Sequence, residues 1–278
     1  MLVKRISGAL GAEISGVDLS RGVSNELAAD IRAVFLAHQV IFLRQQNLTS
    51  AQFLAFSRAM GEPIEYPFIK GIDGFAHIIE VKKLEHEKLN FGGIWHSDTT
   101  YLEEPPMGSM LLSRELPPYG GDTLFANQYL AYDALSEAMK GLLAGLVGIS
   151  SSAKADVSKT REDRIKEDAD ARGNTKAPQH YQAMHPVVRT HPETGRKALY
   201  VNVAHTAGIV GLSEAESAPI LGFLFAHQVK PEFTCRFNWE SDAIAFWDNR
   251  CTQHNPVNDY HSFRRVMHRI TLKGDKPV

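Results

Sequence analysis

"AFWDNRCTQHNPVNDYHSFRRVMHRITLKGD", residues 245–275, decides how the rest of the chain is read. An apolar strand runs into a polar turn carrying His254, and a second strand leaves with Arg265 and Arg269. Arg265, Met267 and Arg269 share strand parity, so both guanidiniums can face one side of a sheet. Two inward arginines in an apolar strand are costly without anionic partners. Their planar forks suit bidentate carboxylate or sulfonate binding. The other reading of the same residues is an exposed strand face with solvated arginines.

The second informative stretch is "GGIWHSDTTY", residues 92–101. His96 and Asp98 are separated by one residue, and on a strand such side chains point to the same face. Two imidazoles and one carboxylate on one face of an octahedron form the site type of non-heme Fe(II) oxygenases, with three positions left open. The pair alone is a weak signal in a chain with 12 histidines. A third ligand is expected on a distant strand packed beside the first. Candidates are His185, His191, His205, His227, His254, His261 and His268, and His254 stands out through its surroundings.

The chain has 278 residues, 44% hydrophobic and 22% charged, with a net charge of −2. That suits a single globular domain and gives no general footprint for nucleic acid or a membrane surface. Two cysteines without a paired framework favour a reduced, cytoplasmic setting. No signal peptide or membrane-spanning apolar run is expected. Helices are expected at 24–38, 49–61, 127–146 and 213–228. Ser24 can cap the first, Ser136 can act as an internal cap in the third, and the second and fourth open with the spacing of a capping box. Strands are expected at 39–44, 76–82, 108–115, 186–190, 197–203, 233–239, 243–248 and 264–272, with 116–123 a turn-rich loop. The pattern does not alternate as βαβ, which disfavours a parallel doubly wound sheet. One polar, charged segment at about 150–183 reads as a solvated loop or a lid.

"WHSD", "WDNR-x-x-x-H" and "RR-x-x-HR", together with "GAEISGVDLS", "ELPPYGGDTLF" and "HPVVRTHPETGRKALYVN", resemble the taurine/aryloxyalkanoate dioxygenase family (TauD/TfdA) over nearly the whole chain. The resemblance implies one mainly β domain over 1–278, a double-stranded β-helix (jelly roll) flanked by helices. It implies an oxidoreductase that uses Fe(II), 2-oxoglutarate and O2 to hydroxylate a small organic anion, with succinate and CO2 as co-products. Position by position it implies His96, Asp98 and His254 as iron ligands, and Thr123 and Arg265 on the distal carboxylate of 2-oxoglutarate. Arg269 would meet the substrate's anionic group and Trp247 would line the pocket floor. The family often forms dimers or tetramers, so a homo-oligomer is expected.

The match loosens at the substrate. Where the taurine enzyme uses a His and a Tyr after its second helix, this chain has Tyr66 and Ile69, and where it uses an Asn this chain has Gly92. Taurine is therefore disfavoured. Lys70 resembles a carboxylate-assisting lysine of the aryloxyalkanoate enzymes, or is a solvated loop lysine. Tyr66, Phe68 and Tyr101 form an aromatic wall or belong to the core. The alternative function is a zinc-type hydrolase using the same His/Asp/His set to activate water. That alternative gives no role to Thr123 and Arg265.

Overall fold

The computed structural model describes residues 1–90, 92–154, 176 and 180–278. Helix α1 (Asn25–His38) starts where the Ser24 hydroxyl accepts from the Leu27 amide. Helix α2 (Ser50–Met60) starts on a complete capping box between Thr49 and Gln52. Each device satisfies amides that the first turn leaves without helical partners.

The two helices cover one face of a large sheet. Its strands are β1 (Leu2–Arg5), β2 (Ala12–Ser15), β3 (Val40–Leu43), β4 (Pro63–Ile64), β5 (Ile79–Lys83), β6 (Gly108–Glu115), β14 (Ile244–Asp248) and β16 (Arg265–Leu272). Their order is β1-β2-β3-β14-β6-β16-β4, with β5 also paired to β16. A second sheet has the order β13 (Thr234–Phe237), β7 (Thr123–Asn127), β15 (Thr252–Pro256).

The period-2 geometry of strands explains why β3 and β14 are buried throughout. Ile41, Leu43, Ile244 and Phe246 pack with Phe35 of α1 and Phe53 of α2. Val40, Phe42, Ala245 and Trp247 face the other way and pack with Phe125 and Phe237 of the second sheet. Phe35 stacks on Phe246 at 4.1 Å, and Phe42 on Phe237 at 4.0 Å. Each such ring removes enough apolar surface from water to contribute about 2–3 kcal/mol. The result is helices, large sheet and small sheet in layers, with the site between the two sheets.

A third group closes one end. It contains α3 (Gln128–Asp133), α4 (Glu137–Leu143), β8 (Val147–Ser151), β9 (Gln182–Pro186), β10 (Val188–Thr190), β11 (Lys197–Leu199), β12 (Thr206–Ile209) and α5 (Glu214–His227). Among the described residues the one parallel strand pair is β2–β3, and no helix is long and apolar enough to cross a membrane.

Three expectations change. The segment 127–146 is two helices, because Ser136 caps α4 after α3 has ended. β8 follows α4 directly, where a helix was expected to give way to the polar segment. His254 lies on strand β15 rather than in a turn. Its neighbours Thr252 and Gln253 are polar but buried, donating to Asp248 O at 2.6 Å and Val201 O at 3.0 Å. A strand whose buried polar groups are paired internally shows no apolar periodicity. The lid reading of 150–183 falls largely on residues 155–175 and 177–179, outside the described residues.

Candidate metal centre and anion site

β15 carries His254, and the loop holding His96 lies against it. The two histidines exchange backbone hydrogen bonds, His96 N to His254 O at 3.0 Å and His254 N to His96 O at 2.8 Å. Asp98 does not share a strand face with His96, as the spacing suggested. It sits in a turn beside Thr99, whose φ is 44°. Asn249, in the turn after β14, fixes that turn. Its Oδ1 accepts from Asp98 N at 2.6 Å, and its Nδ2 donates to Asp98 O at 3.0 Å and to Pro106 O at 3.1 Å.

The side chains converge. Asp98 Oδ1 is 3.5 Å from His96 Nε2 and 3.9 Å from His254 Nε2. His96 Nδ1 lies 2.7 Å from Ile94 O, which requires its proton there and leaves Nε2 with a lone pair. Burial pushes the Asp98 carboxyl up, but the Arg269 guanidinium outweighs it and holds it well below the usual carboxylate range. Burial holds the His254 imidazole well below its usual value, with the Arg269 guanidinium adding to it and Asp98 opposing. At neutral pH Asp98 is a carboxylate and His254 a neutral imidazole, the forms a divalent cation binds. The residues fit an octahedral ion with open positions.

The cavity beside these donors is lined by Thr123, Trp239, Trp247, Pro256, Arg265 and Arg269, among others. Arg265 is 6% exposed, and its Nε and Nη2 have no hydrogen-bond partner among the described residues. Burial pushes its pKa down, with Tyr260 opposing. Trp239 Nε1 donates to Thr123 Oγ1 at 3.0 Å, so the hydroxyl proton of Thr123 is free to point elsewhere. The buried guanidinium, without a counter-ion in ion-pair distance among the described residues, and this hydroxyl line the same cavity as His96 and His254, and their chemistry suits an anion.

A family model described as "Taurine catabolism dioxygenase TauD, TfdA family" matches residues 2–271. The chain belongs to this family. An alpha-ketoglutarate-dependent sulfate ester dioxygenase from Pseudomonas putida is 34% identical over 277 residues, covering 99% of this chain and 90% of its own. An alpha-ketoglutarate-dependent 2,4-dichlorophenoxyacetate dioxygenase from Cupriavidus pinatubonensis is 29% identical, covering 96% of each chain. A putative alpha-ketoglutarate-dependent taurine dioxygenase from Burkholderia xenovorans superposes with a TM-score of 0.85 at 37% identity, covering 100% of this chain and 94% of its own. As a TauD/TfdA member the chain is an alpha-ketoglutarate-dependent dioxygenase that uses Fe(II), 2-oxoglutarate and O2. The zinc-hydrolase alternative falls with that membership.

The remaining residues singled out in this TauD/TfdA chain spread over three settings. Trp247 lines the cavity with its ring 4.7 Å from that of His254. Arg269 pairs through Nη2 with Asp98 Oδ2 at 2.7 Å, and its guanidinium carbon lies 5.3 Å from the Tyr66 ring centre. Tyr66, Phe68, Ile79 and Tyr101 form one buried cluster, in which Tyr101 packs edge-on against His205 at 4.9 Å. Lys70 is exposed and does not line the cavity. Gly92 has φ +68°, and a Cβ there would come within 2.9 Å of His96 Cε1. Its lack of a side chain makes room for the His96 ring.

Ser109, Asn249 and Trp239 were not found from the sequence as site residues, and His205 was weighed only as a possible third ligand. Asn249 stands inside "WDNR" and was read only as part of the resemblance. Nothing marked Ser109 or Trp239. A further buried group, His191, Asp248 and Cys251, has metal-capable atoms close together. Asp248 there is already bound by Arg250 at 2.7 and 2.8 Å and by His191 Nε2 at 3.0 Å, which makes it a structural ion-pair network.

Proposed function

We propose that this dioxygenase hydroxylates a small organic anion with an apolar body, a sulfate ester, sulfonate or carboxylate. In this reading His96, Asp98 and His254 hold the iron, Thr123 and Arg265 hold the distal carboxylate of 2-oxoglutarate, and Arg269 meets the substrate's anionic group. Iron with 2-oxoglutarate and O2 supplies the oxidising chemistry, coupled to loss of CO2 and formation of succinate. The protein's own part is to orient two anions toward one metal face and to keep water away. The observation that carries the reading is Arg265, a buried cation with two unpartnered nitrogens in the cavity that His96 and His254 also line.

Relatives named for a sulfate ester and for 2,4-dichlorophenoxyacetate support an organic anion. Taurine is disfavoured, because neither Gly92 nor Ile69 offers a side-chain partner for an amine. The two facing sheets support a double-stranded β-helix within one domain spanning 1–278, with the polar insertion at about 150–183. The buried free cysteines suit a cytoplasmic setting, and a homo-oligomer is our reading of the assembly, to be checked by light scattering.

Anaerobic addition of Fe(II) and 2-oxoglutarate should give a weak visible charge-transfer band. A succinate-release screen in air, across sulfate esters, sulfonates and aryloxyalkanoates, should then single out one class. No band and no succinate with any acid would overturn the reading.

A further inference from the structure

A carboxylate has two oxygens, and a metal site with open positions needs only one of them. Asp98 Oδ1 faces both imidazoles. Oδ2 faces away, toward Arg269 Nη2 at 2.7 Å and the Ser109 hydroxyl at 2.7 Å. Arg269 Nη2 also donates to Ser109 Oγ at 3.2 Å. An arginine has no acceptor, so the lone pair of Ser109 meets Arg269 and its single proton must go to Asp98. The direction of this chain of hydrogen bonds is therefore fixed by the residue types.

Ser109 sits in the interior of the large sheet. It is fully buried on β6, the strand between β14 and β16, opposite Trp247 on one side and Thr271 on the other. Arg269 has a competing task, since its Nε lies unpartnered and the substrate's anion is proposed to bind it. A bound anion draws the guanidinium away from Oδ2. The Ser109 proton has nowhere else to go and stays.

We infer that Ser109 is a positioning residue for the metal centre: its hydroxyl occupies Asp98 Oδ2, so that Asp98 presents Oδ1 alone to the ion whether or not Arg269 is engaged by substrate. The inference rests on the reading of Asp98 as a metal ligand. A hydrogen-bonding partner of a metal ligand is typically worth about 10-fold or more in metal affinity.

The test is a Mn(II) titration of the metal-free protein followed by EPR of the free ion, with thermal melts beside it. Ser109→Ala should raise the Mn(II) Kd by about 10-fold, and Ser109→Thr, which keeps the hydroxyl, should stay within about threefold of the parent. The rise in melting temperature that Mn(II) induces should shrink in Ser109→Ala by the amount the weaker Kd dictates. A purely structural serine would instead lower the metal-free melting temperature and leave Kd unchanged, which overturns the inference. Asp98→Ala separates the two levels. If it abolishes Mn(II) binding while Ser109→Ala leaves it intact, the ligand reading stands and the role of Ser109 is lost. If Asp98→Ala binds Mn(II) like the parent, both are lost.

Discussion

Arg265 and Arg269 lie on the same strand, on the same face and at nearly the same depth, 6% and 5% exposed, yet their surroundings are opposite. Arg269 has its counter-charge inside the protein, in Asp98 Oδ2. Arg265 has aromatic neighbours, Trp239 at 5.6 Å and Tyr260 at 6.0 Å, and two nitrogens with no partner among the described residues. A balanced buried arginine helps hold the structure. An unbalanced one is kept at a cost to stability, and a bound anion is what removes that cost. The difference separates the arginine balanced within the chain from the one that, in the proposed reading, the cosubstrate balances.

The largest effect should come from breaking the balanced pair. Asp98→Ala removes a donor from the metal set and leaves Arg269 buried without its counter-ion. Succinate formation should fall by about 1,000-fold or more, since the metal's contribution amounts to several kcal/mol. Mn(II) binding should be lost with it. Substantial turnover by this variant would remove Asp98 from the centre.

The unbalanced arginine should respond differently. Arg265→Met should raise the KM for 2-oxoglutarate by about 100-fold, the loss of a charge-assisted contact worth roughly 3 kcal/mol. The Mn(II) Kd should not change. The same substitution should stabilise the ligand-free protein by about 1–3 kcal/mol, because it removes a desolvated charge that has no paired counter-ion. A lower melting temperature for Arg265→Met would mean that the guanidinium is balanced inside the protein after all.

Acid should distinguish the two surroundings again, because the neutral imidazoles lie on the metal side. Burial pushes the His205 pKa down to about 3 from an ordinary 6.5. The folded protein resists protonating it while the unfolded chain accepts the proton. Its contribution is therefore complete above about pH 6.5 and is lost as pH falls from there toward 3, at about 1.4 kcal/mol per unit. Asp248, held below its ordinary range chiefly by Arg250 against the opposing effect of burial, adds its loss only at lower pH. His205→Asn should flatten the stability curve between pH 6 and 4.5 by about one proton's worth in urea titrations. An unchanged slope would mean that His205 already carries its proton in the fold.

The sequence carried the chemistry of this site better than its carpentry. His96, Asp98, His254, Thr123 and Arg265 were legible because their types are unusual in their settings and the family resemblance orders them. α1, α2 and α5 were legible because capping residues mark where each begins: Ser24 for α1, Thr49 with Gln52 for α2 and Ser213 with Glu216 for α5. β15 was not, because its buried residues Thr252, Gln253 and His254 are polar, and hydrogen bonds such as that of Gln253 to Val201, 52 positions away, take the place of an apolar face. The turn that carries Asp98 was missed for a related reason: Asn249, 151 positions away, ties it down through backbone atoms. Contacts of that range leave no period in a single sequence.

Trp239 tests the finest part of the comparison. Its indole proton meets Thr123 Oγ1 at 3.0 Å, and its ring lies against Arg265. It thus touches both Thr123 and Arg265. Trp239→Phe keeps most of the ring and removes only the donor, so Thr123 loses the bond that fixes its lone pair and with it the direction of its proton. A neutral hydrogen bond is worth about 1 kcal/mol, so the KM for 2-oxoglutarate should rise by about fivefold, less than for Arg265→Met. In a Thr123→Val background the Trp239→Phe effect should vanish, since no hydroxyl is left to orient. If the two effects simply add, the indole acts on Arg265 through its ring, and Thr123 is oriented by something else.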